Sequence, residues 1–194
     1  MKTNNIISLL CFLFGMLALS SCGYEEYADA DYPAATVYQS MAVNGVYNID
    51  SSCEHINTTV TSGNIDPYTI DKSSGKLNIN LGVTLSGIKR QSVNVTLAKD
   101  ASSVSQALDD GILDTATTSS LQDDAFTLPT TVKTDSRLSS APYAVQVDLN
   151  TIIAAKEGNK LAFAVKIVSS DVNVSDQYST LVVVIDCDFI KSKL

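Results

Sequence analysis

Residues 76–86 read KLNINLGVTLS. Leu77, Ile79, Leu81, Val83 and Leu85 fall on one side of this run, and Asn78, Asn80, Gly82, Thr84 and Ser86 on the other. In an extended chain successive side chains point to opposite faces, so period-two alternation marks a half-buried strand. The same pattern returns along the chain. Val93, Val95 and Leu97 alternate with Asn94 and Thr96, and Tyr143, Val145, Val147 and Leu149 with Ala144, Gln146 and Asp148. Leu161, Phe163, Val165 and Ile167 form another apolar row, and Leu181, Val183, Ile185, Cys187 and Phe189 the last. Thr36–Met41 and Gly45–Ile49 supply two earlier strands. A strand with one apolar face needs a second layer to cover it. The expected fold is all-β, an Ig-like antiparallel β-sandwich with one or two short helices in its connections.

The helices expected are Ala101–Asp110, with Gly111 as its cap, and Asn150–Lys156, with Asn150 as N-cap. Strands and helices do not alternate as βαβ units, which disfavours a parallel doubly wound sheet. Residues 114–142 are more than half Ser, Thr and Asp, too polar for a core strand. They read as a long loop whose middle is pinned to the body by Phe126, Leu128 and Pro129.

The chain has 194 residues, with 13 Lys+Arg against 21 Asp+Glu and a formal net charge of −8. That balance suits a globular chain and argues against nucleic-acid binding, which needs a basic face for the phosphates. The N-terminus reads as a targeting segment. Lys2 is the only charge before Glu25, and the apolar run IISLLCFLFGMLAL occupies 6–19. At about 1.5 Å per helical residue it is too short for a bilayer core of about 30 Å, but suits a signal peptide over 1–21. The following Leu19-Ser20-Ser21-Cys22 resembles a bacterial lipobox, in which Cys22 takes a lipid and becomes the mature N-terminus. Two or more acyl chains anchor a protein stably. The acidic stretch GYEEYADADY, residues 23–32, carries Glu25, Glu26, Asp29 and Asp31 and no base. It resembles the surface-export signal of Bacteroidota lipoproteins. The organisation expected is therefore a signal peptide 1–21, an acidic lipid-anchored tether 22–33 and one domain 34–194. The expected location is the outer membrane, facing the extracellular side.

Cys11 leaves with the signal peptide and Cys22 carries lipid, so Cys53 and Cys187 remain. The envelope is oxidising and permits a disulfide between them. Parallel pairing of the first and last strands, around Val46–Ile49 and Leu181–Phe189, would bring them near each other. The alternative is two buried thiols acting as small hydrophobes.

With these patterns in place, a family likeness emerges. The chain carries NGVYNID at 44–50, DPYTIDKSSGKLNINLGVTLSG at 66–87, SVNVTLAKD at 92–100 and FTLPTTV at 126–132. APYAVQVDLN follows at 141–150 and KLAFAVKIVSSDVNVSDQYSTLVVVID at 160–186. The order resembles a Bacteroidota surface-lipoprotein N-terminal domain of unknown function. That Ig-like module opens glycan-utilisation lipoproteins and precedes the catalytic barrel in some family-18 endo-N-acetylglucosaminidases. NTIIAAKEGN at 150–159 stands where members commonly have a Gly-rich turn. The resemblance implies an accessory extracellular module and supplies no catalytic residues.

Catalytic chemistry finds little purchase. A nucleophilic triad needs a base and an orienter, and His55, beside Cys53 and Glu54, is the only histidine. Asp109-Asp110 and Asp123-Asp124 are adjacent carboxylates rather than the facing pair a glycosidase uses. A Ca²⁺ site from Asp109, Asp110 and Asp114 lacks a recognisable loop pattern, and two Cys and one His lack zinc spacing. No enzyme activity, cofactor or metal is expected. With Trp absent, Tyr38, Tyr47, Tyr68 and Tyr178 are the aromatic candidates for glycan contact. Asp114-Thr115-Ala116 resembles a Bacteroidota O-glycosylation motif, which makes Thr115 a modification candidate. The expected role is a non-catalytic accessory or glycan-binding module of a polysaccharide-utilisation system. Its partners would be the membrane, through the lipid anchor, and glycan or a glycan-uptake complex. The alternative is a structural or adhesive, fimbria-like lipoprotein. Against it, Arg occurs only at Arg90 and Arg137, inside the body, whereas lipoprotein pilins of this phylum are cut at an Arg ahead of the core.

Overall fold

A computed structural model describes residues 33–55, 66–87 and 91–194, without the side chains of Glu54 and His55. The signal peptide 1–21, Cys22, the tether up to residue 32 and Arg90 lie outside the described residues, as does the His55 side chain. The compact unit is Ala34–Leu194. It is an all-β sandwich of two six-stranded sheets.

The first sheet is organised by β4 (Lys76–Leu85), the strand with the longest alternation. Its Leu77, Ile79, Leu81, Val83 and Leu85 are all buried. Along one edge β4 pairs antiparallel with β9 (Ser140–Asp148), in register from Lys76 opposite Asp148 to Thr84 opposite Ser140. Along the other edge lie β1 (Thr36–Gln39) and β3 (Tyr68–Asp71), end to end. The short β7 (Phe126–Thr127) and β11 (Asn173–Val174) complete this sheet beside β9 and β1.

The second sheet is built on β10 (Lys160–Ser170), between β12 (Thr180–Asp186) and β5 (Asn94–Lys99). β2 (Tyr47–Ile49) lies outside β12, β8 (Thr131–Lys133) outside β5, and β6 (Thr118–Ser120) pairs with the start of β10. The apolar rows of the two sheets form one core, from Val37 and Ile49 through Phe163 to Ile190. A second, smaller cluster sits on the outer face of β10 and β12. There α1 (Ala101–Asp109) sets Val104 and Ala107 against Ala162, Ala164 and Val184. This explains why Ala162, Phe163, Ala164 and Val165 are all buried in succession. Alanine on the outer face lets the helix lie close. Gly111 follows α1 with φ +71°, a conformation glycine adopts without strain.

The structure departs from the sequence-based expectation in four places. The sheets are mixed rather than purely antiparallel, because β1–β11, β6–β10 and β2–β12 are parallel pairs. The last of these is the pairing of the strand at 46–49 with the final strand that the sequence suggested, although β1 precedes β2 in the chain. Second, the final strand stops at Asp186, and Cys187–Lys191 form a further helix, α3. The Asp186 carboxylate accepts the Phe189 backbone N–H at 3.0 Å, an N-cap that diverts the chain from extended to helical. Third, α2 spans Leu149–Ala154, and its N-cap is Asp148, accepting from Asn150 N at 2.9 Å, rather than Asn150.

Fourth, residues 114–142 are not a long loop. The segment passes from β6 in the second sheet to β7 in the first, then to β8 in the second and into β9 in the first. Phe126 does pin it, with its buried ring 4.9 Å from that of Phe163. Lys99 holds the same point from outside. Its ammonium lies 4.3 Å from the Phe126 ring centroid and donates to Phe126 O at 2.6 Å and to Asp123 O. Replacing Lys99 by Met keeps the aliphatic stem and removes charged hydrogen bonds, each worth roughly 1.5–3 kcal/mol. We expect Lys99→Met to cost about 2 kcal/mol in urea unfolding; a loss below about 0.5 kcal/mol would show that the two carbonyls are served equally well by water.

Cys53 and Cys187 are free, buried thiols rather than a disulfide. Each has its own acceptor: Cys53 Sγ donates to Asn48 O at 3.1 Å, and Cys187 Sγ faces Ile185 O at 3.9 Å. The helical turn at Cys187 is what changes the geometry assumed for an extended strand. Burial raises the Cys53 thiol and pushes Cys187 up to about 11, so neither is a ready thiolate at neutral pH. Iodoacetamide at pH 7.5 should leave both unlabelled in the native full-length protein and label both after unfolding. A cross-linked Cys53–Cys187 peptide in a non-reducing digest would refute the free-thiol state.

Candidate functional site

Several of the aspartates that give the chain its acidity serve its turns. Asp50 accepts from Ser52 N and Oγ, and Asp71 from the N–H and hydroxyl groups of Ser73 and Ser74. Asp135 accepts from the N–H groups of Arg137 and Leu138, while Asp148 and Asp186 cap helices. Donors aimed at a carboxylate favour its charged form. The Ser73 and Ser74 hydroxyls accordingly hold Asp71 well below the usual range, and the Arg137 N–H lowers Asp135. Such carboxylates are occupied in local structure and poorly placed to act as proton donors.

The two adjacent acid pairs lie at the surface. Asp109 and Asp110 are exposed at the end of α1, and Asp123 and Asp124 are exposed in a 3-10 turn before β7. Asp109, Asp110 and Asp114 do not converge: among the described residues no group of three or more His, Cys, Asp or Glu could hold a metal ion.

The four candidate tyrosines separate by environment. Tyr47 packs against the core, and burial pushes its phenol up to about 12, the nearby Cys53 adding to the effect. Tyr68 packs edge-on against Phe189, with centroids 5.8 Å apart. Tyr38 and Tyr178 come together, half-buried, with ring centroids 6.4 Å apart and planes at 59°. Beside them, at the β1–β11 edge, is a shallow concavity of about 600 Å³ lined by Thr36, Asn173, Ser175, Asp176 and Gln177.

A second concavity, of about 290 Å³, lies on the other sheet where the chain leaves α1. Val46 and Asn48 border it from β2 and the residue before it, Ile112, Asp114 and Thr117 from the loop before β6, and Lys160 from the start of β10. Asp114 Oδ1 accepts Ala116 N at 2.9 Å, and its Oδ2 accepts the Thr117 hydroxyl at 3.0 Å. The Ala116 N–H, then the Thr117 hydroxyl, hold the Asp114 carboxyl below its ordinary value, with the Lys160 charge as a smaller contribution. Ile112 is 63% exposed. Thr115, the modification candidate, sits exposed in the same turn.

Sequence reasoning missed this concavity because it draws on three segments distant in the chain. The turn alone had a signal: a carboxylate followed two or three residues later by Ser or Thr, as at Asp114 and Thr117, marks an Asx-type turn.

No family model matches the chain, and no curated protein does. Several solved structures align with parts of the chain. A candidate carbohydrate-binding protein of Bacteroides ovatus aligns with a TM-score of 0.53 at 14% identity, over 78% of this chain and 36% of that one. A multidomain Bacteroides ovatus protein including DUF1735 aligns with a TM-score of 0.41 at 15% identity, over 59% of this chain and 35% of that one. EndoBT-3987 of Bacteroides thetaiotamicron, solved with a Man5GlcNAc product, aligns with a TM-score of 0.40 at 14% identity, over 56% and 26%. The chain thus spans little more than a third, or less, of each of these molecules. At 14% identity, the likeness to the first of these is one of fold.

Proposed function

We propose that this chain is a non-catalytic cell-envelope lipoprotein, anchored through Cys22 and displayed on the outer surface of the outer membrane. It acts as an accessory or glycan-binding module of a polysaccharide-utilisation system. The observation that carries this reading is the sandwich it shares, at a TM-score of 0.53, with the candidate carbohydrate-binding protein of Bacteroides ovatus. The lipobox-like Leu19–Cys22 and the acidic run after it support the anchor and the surface location. The turn-bound aspartates favour binding over catalysis.

Two measurements test the reading. Labelled palmitate should enter the wild-type chain and not Cys22→Ser, and protease added to intact cells should degrade the anchored protein. The full-length protein in detergent should also be retarded in native gels containing at least one neutral polysaccharide. Absence of retardation across plant, fungal and host glycans would remove glycan binding, and hydrolysis of any of them would remove the non-catalytic assignment.

A further inference from the structure

We infer that the concavity formed by Asn48, Ile112, Asp114, Thr117 and Lys160 binds one neutral sugar ring, such as the end of a glycan chain. The inference rests on the glycan-binding reading and assigns it a place.

The chemistry is that of a polyol site. A sugar hydroxyl is both donor and acceptor, so it is best met by an acceptor and a donor side by side. Asp114 supplies the acceptor: each of its oxygens takes one hydrogen bond within the turn, and a carboxylate offers about four lone-pair sites in all. Lys160 supplies the donor. Its ammonium is close enough to lower the Asp114 carboxyl, yet it has no hydrogen-bond or ion-pair partner among the described residues. The Asn48 side-chain amide, exposed on the edge strand β2, adds a donor and an acceptor with no partner of their own among the described residues. The Thr117 hydroxyl, already donating to Asp114, keeps acceptor capacity.

The remaining wall is apolar. Val46, Ile112 and Val184 border the space, and Ile112 is exposed where the fold makes no use of it. A pyranose ring has a C–H face that packs on such aliphatic surface while its rim hydroxyls bond in plane. The cavity of about 290 Å³ is just under the roughly 300 Å³ at which pockets for drug-sized ligands begin, which suits a single ring rather than a long chain. Charge selects the neutral class. At the rim the Asp114 carboxylate offsets the Lys160 ammonium, so the pocket offers no net positive charge to an acidic sugar, and the chain's net charge of −8 repels one.

The test uses the full-length protein in detergent, with affinity gels of neutral polysaccharides (starch, xylan, mannan) and of the acidic polygalacturonate. Wild-type protein should be retarded by at least one neutral polymer, and the corresponding methyl glycoside should compete in the millimolar range. Lys160→Gln and Asn48→Ala, both at the rim, should each weaken retardation at least tenfold with unchanged melting, while Tyr38→Ala should leave it unaltered. Retardation that survives both rim substitutions, or that is lost only in Tyr38→Ala, overturns the assignment to this pocket while leaving glycan binding intact. Stronger retardation by polygalacturonate than by any neutral polymer overturns the neutral class. No retardation of the wild type by any polymer overturns the glycan reading itself, and this assignment with it.

Discussion

Phe163→Ala is expected to destabilise the domain by about 3–5 kcal/mol, a large share of the roughly 5–15 kcal/mol that holds a typical domain together. Phe163 is 1% exposed and lies on β10, flanked by β12 and β5, where neighbouring strands limit collapse around the cavity left behind. Its ring also meets Phe126 at 4.9 Å with planes at 37°. Phe126 comes from the polar crossing segment, so this contact docks that segment onto the core. A double-mutant cycle with Phe126→Ala should show coupling of about 0.5–1.5 kcal/mol, the extra worth of an aromatic pair beyond its buried area. Urea unfolding followed by fluorescence and circular dichroism gives both values. A cost for Phe163→Ala near 1 kcal/mol, or no coupling, would mean that the segment is held mainly by its strand pairings.

That segment also shows where sequence patterning reaches its limit. In β4 and β9 one face is buried and the other is polar, so alternation is plain and both strands sit where the pattern puts them, to within a few residues. β6, β7 and β8 are only two or three residues long, and their place in the sheets is set by backbone pairing with β10, β9 and β5, with the buried Phe126 ring docking β7 on the core. Thr118, Thr127 and Thr131 carry no apolar period to announce this. The C-terminus misleads for the opposite reason. Leu181, Val183, Ile185, Cys187 and Phe189 continue one period, yet Cys187 and Ile190 are also three apart and both buried in α3. Two periods fit the same letters, and the Asp186 cap decides between them. The Tyr38–Tyr178 pair was legible only as two names among four, because its meeting depends on β1 pairing with β11 across most of the chain. Pocket chemistry at Asn48, Asp114 and Lys160 has the same origin: β2, the loop after α1 and β10 meet only once the sheet is formed.

The buried polar pair of Gln39 and Tyr143 gives the second large effect. Gln39 is fully buried on β1, and its Oε1 accepts the Tyr143 hydroxyl at 2.8 Å, across β4 from β9. Its Nε2 is buried without a partner among the described residues. Tyr143→Phe leaves the Gln39 oxygen unbonded as well, so the whole amide becomes an orphan, at about 1–3 kcal/mol for each unsatisfied group. Gln39→Leu leaves the hydroxyl unbonded but also removes the orphan N–H, so it should cost less. The double variant removes every stranded group and should come within about 1 kcal/mol of wild type, or exceed it. Alkali separates the two residues further. Burial holds the Tyr143 phenol above the ordinary range and raises Tyr47 to about 12. An unfolded tyrosine ionises near pH 10. Above that pH the unfolded chain releases protons that the folded chain retains, and stability falls as pH rises. The loss begins near pH 10, and the Tyr47 part ends as pH passes about 12. Tyr143→Phe should flatten this alkaline decline, leaving the Tyr47 part, whereas Gln39→Leu should leave it steep. Equal slopes in the two variants would show that the Tyr143 phenol ionises as readily in the folded protein as in the unfolded one.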